Sequence, residues 1–199
     1  MALLLPYSVL ASPTTVSRGK RRYQFTVNGV HQLYLVAEGV YFVRRHSDNK
    51  VIGTVIAPMV LGWSCIDRVS LDCPSYLDDV YLERMDSGVL RVIPLAEAFQ
   101  RVQDAGILMD VVSVLSFYIN HLMIMGGAVV DESAREVVLK MLLRLMIAPR
   151  PIRMGFSVVT FIEERCMLSR SSILRELKKM RQNGVIEMHN GKLLSLKLE

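Results

Sequence analysis

Val158-Val159-Thr160-Phe161-Ile162-Glu163-Glu164-Arg165-Cys166-Met167-Leu168-Ser169-Arg170-Ser171-Ser172-Ile173-Leu174-Arg175-Glu176-Leu177-Lys178-Lys179-Met180 decides the fold of the C-terminal part. It reads as a helix, a tight turn and a second helix. Ser169 is a strong N-cap for the second, because its hydroxyl can accept from an otherwise orphaned backbone N–H of the first turn. Ile173, Leu177 and Met180 repeat at helical spacing as one buried stripe, with Arg170, Ser171, Arg175, Lys178 and Lys179 outside it. Asn183-Gly184 stops the helix, and two short apolar runs follow, Val185–Met188 and Leu193–Leu196. Asn190-Gly191 between them is a strong hairpin signal, so the chain is expected to end in a helix-turn-helix with a β-wing. A basic helix with a short polar first turn suits the major groove of DNA, where N-terminal side chains reach base edges and later lysines meet phosphate. The candidate DNA contacts are Ser169, Arg170, Ser171, Ser172, Arg175, Lys178, Lys179 and, on the wing, Lys192. The alternative is a solvated face on an ordinary amphipathic helix.

Charge placement supports the first alternative. Residues 131–199 hold 13 Lys+Arg against 8 Asp+Glu, whereas residues 1–130 hold 11 of each, so the net charge of +5 belongs to the C-terminal part. That asymmetry fits a neutral sensing or assembly domain joined to a nucleic-acid-binding one, whose partner, from the helix-turn-helix pattern, is expected to be double-stranded DNA. The mean hydropathy of +0.31 raises the question of a membrane span. The candidate, Ile107–Met125, is interrupted by Asp110, Ser113, Ser116, Asn120 and His121, and no membrane segment is expected. Ala2-Leu3-Leu4-Leu5 has no preceding Lys or Arg and is cut short by Pro6, so no secretory signal is expected and the protein is placed in the cytoplasm.

Within Ile107–Met125, Leu108, Val111, Leu115, Tyr118, Leu122 and Met125 alternate at three and four residues, the pattern of a coiled-coil seam. Nineteen helical residues span roughly 28 Å, enough for the central helix of a homodimer. The alternative is a helix buried against its own domain, which Val112, Val114, Phe117, Ile119 and Met123 would also serve. Gly126-Gly127 would form a joint, and Asp131-Glu132-Ser133 opens another helix running to about Met146, before Pro149 and Pro151 break the chain.

The first ninety residues read as β-structure. Gln32–Val43 forms two strands about a Glu38-Gly39 turn, Ser47–Lys50 is a polar turn, and Val51–Ile56 is a further strand. Short strands at this spacing suggest a barrel or jelly roll.

The chain resembles the Crp/Fnr family of bacterial transcription regulators. Ser169-Arg170, Arg175 and the run to Val185-Ile186 align with the family's recognition helix, Leu33–Trp63 with its double-stranded β-roll, and Pro94–Val102 with the short helix before its dimer helix. The implied class is α+β: a cyclic-nucleotide-binding-like β-roll over residues 1–94, a short helix, a long dimerisation helix and a Gly-Gly hinge over 95–127, and a winged helix-turn-helix over 128–199. By the resemblance, Arg170, Ser171 and Arg175 stand where the family contacts bases, and RNA polymerase is a candidate further partner. Ser171 replaces a common Glu, and Glu163 and Met167 stand where small residues are usual.

The family's cyclic-nucleotide chemistry needs a carboxylate for the ribose and an Arg-Ser pair for the phosphate. Here the loop reads Gly62-Trp63-Ser64-Cys65, and Tyr76-Leu77-Asp78-Asp79 stands about where the pair belongs. No cyclic AMP binding is expected, and Arg68 and Arg84 read as solvated surface residues. Cys65, Cys73 and Cys166 are too few for a four-thiolate iron–sulfur cluster, and no haem or metal motif surrounds His31, His46, His121 or His189, so no cofactor is expected. Cys65 and Cys73 flank a predicted loop and are candidates for a redox switch, against the alternative of small buried hydrophobes. Leu168–Ser171 and Ile186–Ser195 resemble the enterobacterial branch known as the inhibitor of hydrogen peroxide resistance, which implies a role in oxidative stress.

Two other classes compete. A protein-interaction adaptor could keep the fold and lose tight DNA contact. An enzyme would need a nucleophile–base or acid–base set, and none is visible; Asp78 and Asp79, adjacent on a predicted strand, would face opposite ways.

Overall fold

The computed structural model describes residues 1–17, 19–64, 76–125 and 132–197, with all their side chains but those of 76, 77 and 121–125. The chain divides into two compact units, Met1–Gly127 and Ala128–Glu199.

The described residues of the first unit form ten strands: β1 (Val9–Leu10), β2 (Thr15–Ser17), β3 (Lys20–Gln24), β4 (Thr26–Val27), β5 (Val30–Val36), β6 (Val40–Arg45), β7 (Val51–Ile56), β8 (Met59–Leu61), β9 (Val80–Arg84) and β10 (Leu90–Pro94). They form two antiparallel sheets. One runs β1-β10-β5-β4, with β8 also on β5, and the other runs β2-β3-β9-β6-β7. Alternation along β5 explains its central place. Leu33 and Leu35 enter one apolar core with Leu4, Val60, Trp63 and Ile93, while Tyr34 and Val36 enter a second with Tyr23, Phe25, Tyr41 and Leu82. A strand buried on both faces has no polar side to show, as its sequence Leu33-Tyr34-Leu35-Val36 already suggests.

The expected Glu38-Gly39 turn joins β5 to β6, and Gly39 has φ +91°. A Cβ there would lie 2.4 Å from the Gly88 Cα, so glycine is required for both conformation and space. Asp86 fixes the same corner, its carboxylate accepting from the N–H groups of Val40 (3.1 Å) and Gly88 (2.9 Å).

Two helices complete the unit, α1 (Leu95–Asp104) and α2 (Leu108–Met125). Leu95, Ala98 and Val102 of α1 join the core of Leu33 and Leu35, and so does Val111 of α2, with Val114 and Leu115 packed beside it. The Tyr118 hydroxyl donates to the Val60 carbonyl. Val111, 7% exposed, and Tyr118, two positions of the expected dimer seam, thus make contacts within their own unit. Among the described side chains of α2, Leu108, Met109, Val112, Phe117 and Ile119 are apolar and exposed. Leu108, Val112 and Ile119, at i, i+4 and i+11, lie on one face of the helix, and Leu108 is also a position of the expected seam. The side chains of Leu122 and Met125, and the Gly126-Gly127 joint, lie outside the described residues.

In the second unit α3 (Ala134–Ile147), α4 (Arg150–Gly155), α5 (Val158–Glu163) and α6 (Arg170–Gln182) precede the hairpin β11 (Ile186–His189) and β12 (Lys192–Leu196). Ser133 starts α3 through a capping box: its hydroxyl accepts from the Glu136 N–H, and the Glu136 carboxylate accepts from the Ser133 N–H. Pro149 and Pro151 do more than break the chain. They stand in the cap and first turn of α4, where a missing N–H leaves no bond unmade. Helix α3 lies against α5, α6 and β12, and Val138, Leu142 and Leu145 are buried there.

Candidate nucleic-acid interface

Helix α5 is shorter than its sequence suggests. Ser157 caps it, accepting from the Thr160 N–H at 3.1 Å, and it ends at Glu163, before reaching Cys166. Arg165 accounts for the early stop: its guanidinium lies over the Phe161 ring, 3.8 Å from the centroid, and donates to the Phe161 carbonyl at 3.1 Å. That satisfies a carbonyl which another helical turn would otherwise take up. Cys166 is half-buried in the turn that follows, and Met167 is 84% exposed.

Helix α6 starts as expected. The Ser169 hydroxyl accepts from the Ser172 N–H at 3.2 Å and shares further bonds with the hydroxyls of Ser171 (2.9 Å) and Ser172 (3.0 Å). Ile173, Leu177 and Met180 are buried as the spacing predicts, each contributing about 1.5–3 kcal/mol of apolar burial. Opposite them on the helical wheel stand Ser171, Arg175, Lys178 and Gln182, all exposed. Gln182 and Arg181 were not expected in the site, although Gln182 continues the Ser171 stripe and Arg181 the Arg170 edge.

Glu176 is the residue the sequence did not mark. It is buried, and its carboxylate pairs with Lys179 Nζ at 2.9 Å and Arg175 Nε at 3.6 Å. The Lys179 hydrogen bond, foremost, holds its carboxyl below the usual carboxylate range. Lys179 is thus partly neutralised, while Lys178 stays on the exposed stripe. Arg170 is bound to the end of α5: its Nη1 donates to the Glu163 carboxylate at 2.7 Å.

Asn190 and Gly191 both have positive φ, 48° and 75°, the geometry of a tight hairpin turn. The Gly191 carbonyl accepts from the Val158 N–H at 2.8 Å, which ties the wing to the start of α5. Lys192, half-buried, follows this turn directly.

In the first unit, Tyr23, Phe25, Tyr34 and Tyr41 fill the space between the sheets with edge-to-face rings, their centroids 5.5–6.4 Å apart. Asp78 and Asp79 lie on a 3₁₀ turn, Tyr76–Asp79, and not on a strand, which corrects the expectation of opposite faces. Asp78 accepts from the Thr26 hydroxyl at 2.7 Å. Cys65, Cys73 and Arg68 lie outside the described residues. Among the described residues no three His, Cys, Asp or Glu side chains are grouped to hold a metal, and no helix is long and apolar enough to cross a membrane.

Residues 134–198 match the family described as winged helix-turn-helix DNA binding. No curated protein matches the chain by sequence. Three solved structures are similar over most of their length. The c-di-GMP-responsive global regulator CLP of Xanthomonas campestris is 15% identical, with 99% of this chain and 98% of that one covered and a TM-score of 0.68. A protein from Eubacterium rectale assigned to the Crp/Fnr family of transcriptional regulators is 16% identical, covering 98% and 88%, at 0.62. FixK2 of Bradyrhizobium japonicum is 14% identical, covering 90% and 92%, at 0.57. Residues 134–198 are thus a winged helix-turn-helix DNA-binding domain, in a chain whose α+β fold is that of these structures.

Proposed function

We propose that the chain is a dimeric transcription regulator of the Crp/Fnr type that binds a two-fold symmetric DNA site through α6 and the wing. The observation that carries this reading is the exposed stripe Ser171, Arg175, Lys178 and Gln182 on a capped helix whose other face is packed in the domain core. In this reading Arg170, Ser171 and Arg175 read base edges, while Ser169, Ser172, Lys178, Lys179 and Lys192 meet the backbone. The exposed apolar face of α2 joins two copies, and RNA polymerase is the partner at promoters.

The β-roll does not respond to cyclic AMP. Four aromatic rings occupy the sandwich interior, and Asp78 and Asp79 would repel a phosphate. Calorimetric titration with cyclic AMP is expected to give no heat of binding; micromolar affinity would overturn this. The resemblance of Leu168–Ser171 and Ile186–Ser195 to the peroxide-resistance branch supports a role in oxidative stress, and a deletion strain is expected to differ from its parent in survival of hydrogen peroxide.

Chromatin immunoprecipitation with sequencing tests the central reading. The native protein is expected to give peaks sharing a symmetric motif, which the Arg170→Ala/Arg175→Ala variant loses. Absence of enrichment for a folded, expressed protein would favour the adaptor.

A further inference from the structure

The ion pair between Glu163 and Arg170 is not explained by stability. Glu163 is the last residue of α5 and Arg170 the first of α6. A carboxylate at a helix C-terminus and a cation at an N-terminus each oppose the helix dipole, so neither residue favours its own helix. Their side chains are 27% and 63% exposed, and pairs this open add little to folding. What the pair does is fix an arginine. An unrestrained guanidinium on three methylenes samples many rotamers and loses that freedom on binding. Here Nη1 is held at 2.7 Å by Glu163. The Nε–Nη2 edge remains, and its two parallel donors match the N7 and O6 acceptors of guanine.

We propose that Glu163 is a positioning residue for base recognition: it orients Arg170 toward one guanine of the operator and, as a carboxylate at the DNA face, suppresses binding to unrelated sequence. This rests on the reading of α6 as the recognition helix. Two effects follow and can be separated. The first is geometric and needs the full reach of the glutamate. The second is electrostatic and needs only the negative charge, because phosphate repels any carboxylate held nearby.

The experiment is in vitro selection from random duplex DNA with the full-length protein, followed by titration of the selected duplex, its single-base variants and unrelated duplex at several salt concentrations. Native protein, Glu163→Gln, Glu163→Asp, Arg170→Ala, Glu163→Gln/Arg170→Ala and Arg175→Ala are compared. At one guanine, Glu163→Gln is expected to lose about tenfold of the discrimination, as Arg170→Ala does, and the double variant is expected to lose no more. Glu163→Gln is also expected to bind unrelated DNA about threefold more tightly, with a steeper salt dependence. Glu163→Asp, which keeps the charge and shortens the reach, is expected to lose the discrimination without that gain. Unchanged discrimination in Glu163→Gln, with binding lost in Arg175→Ala, would overturn this inference alone. No sequence selected by the native protein would overturn the reading of α6 and this inference with it.

Discussion

Glu83 shows how a single residue can escape a sequence reading. It is 1% exposed on β9, hydrogen-bonded to Arg44 Nε at 3.0 Å, with Lys20 Nζ at 3.3 Å and Arg22 Nε at 3.9 Å. Arg44, 3% exposed, also donates to the Asn49 carbonyl. Three cations from β3 and β6 thus meet one carboxylate. Val80-Tyr81-Leu82-Glu83-Arg84 carries charge only at its end, and strand alternation does not tell which of its faces is covered. Removing one partner of a buried pair leaves the other charge uncompensated, so Glu83→Gln is expected to lower stability by about 3 kcal/mol in chemical unfolding. An effect below about 1 kcal/mol would mean that the site is wetter than its burial implies. Gly39 was legible, by contrast, because its turn is local. Gly39→Ala must accept a positive φ and a contact with the Gly88 backbone, and a loss of about 3 kcal/mol or more is expected in the same measurement.

At the scale of elements, those with strictly local causes were readable. The Ser169 cap, the Ile173–Leu177–Met180 stripe and the Asn190-Gly191 turn each follow from chemistry within four residues of the position concerned. Elements decided by distant partners were not. Helix α5 stops where Arg165 reaches back to Phe161, and the packed face of α2 is chosen by the sheets it lies on, which spacing alone does not show. Tyr118 reports that choice. Burial pushes its hydroxyl up to about 12, and Tyr118→Phe would leave the Val60 carbonyl without this donor, at a loss of about 1–2 kcal/mol. Ile119 reports the opposite face. Ile119→Asp is expected to leave the melting temperature of dilute protein within a few degrees, yet to shift sedimentation from dimer toward monomer. An unchanged dimer would place the interface away from this helix.

For the whole molecule, the useful asymmetry is electrostatic. The excess of cations lies beyond residue 130, and so do Glu136 and Glu176, two carboxyls held below their ordinary range. The Ser133 N–H, foremost, accounts for Glu136 and Lys179 for Glu176. A depressed folded-state value gives stability that is present above the unfolded value and is lost as the pH falls through the folded one. The second unit is therefore expected to lose protection from hydrogen exchange as the pH falls below the ordinary glutamate value of 4.5, and Glu136→Gln to flatten that dependence; equal sensitivity in the variant would count against the capping box as its source. Charge placement could be read from composition, but the aromatic filling of the β-roll could not. It requires Tyr23, Phe25, Tyr34 and Tyr41 to converge from β6, from β5 and from the β3 segment, a long-range arrangement that no local window contains.

The bond from Val158 to the Gly191 carbonyl bears on how this protein can diverge. Hairpin tips are ordinarily where a lineage accumulates insertions, since an exposed turn can lengthen without disturbing what lies below. Here an added residue beside Gly191 would pull on the first N–H of α5 and, through it, on the turn that leads into α6. The tip of the wing tolerates a change of side chain at its exposed positions more readily than a change of length, so descendants would be expected to vary in letters there while conserving its spacing.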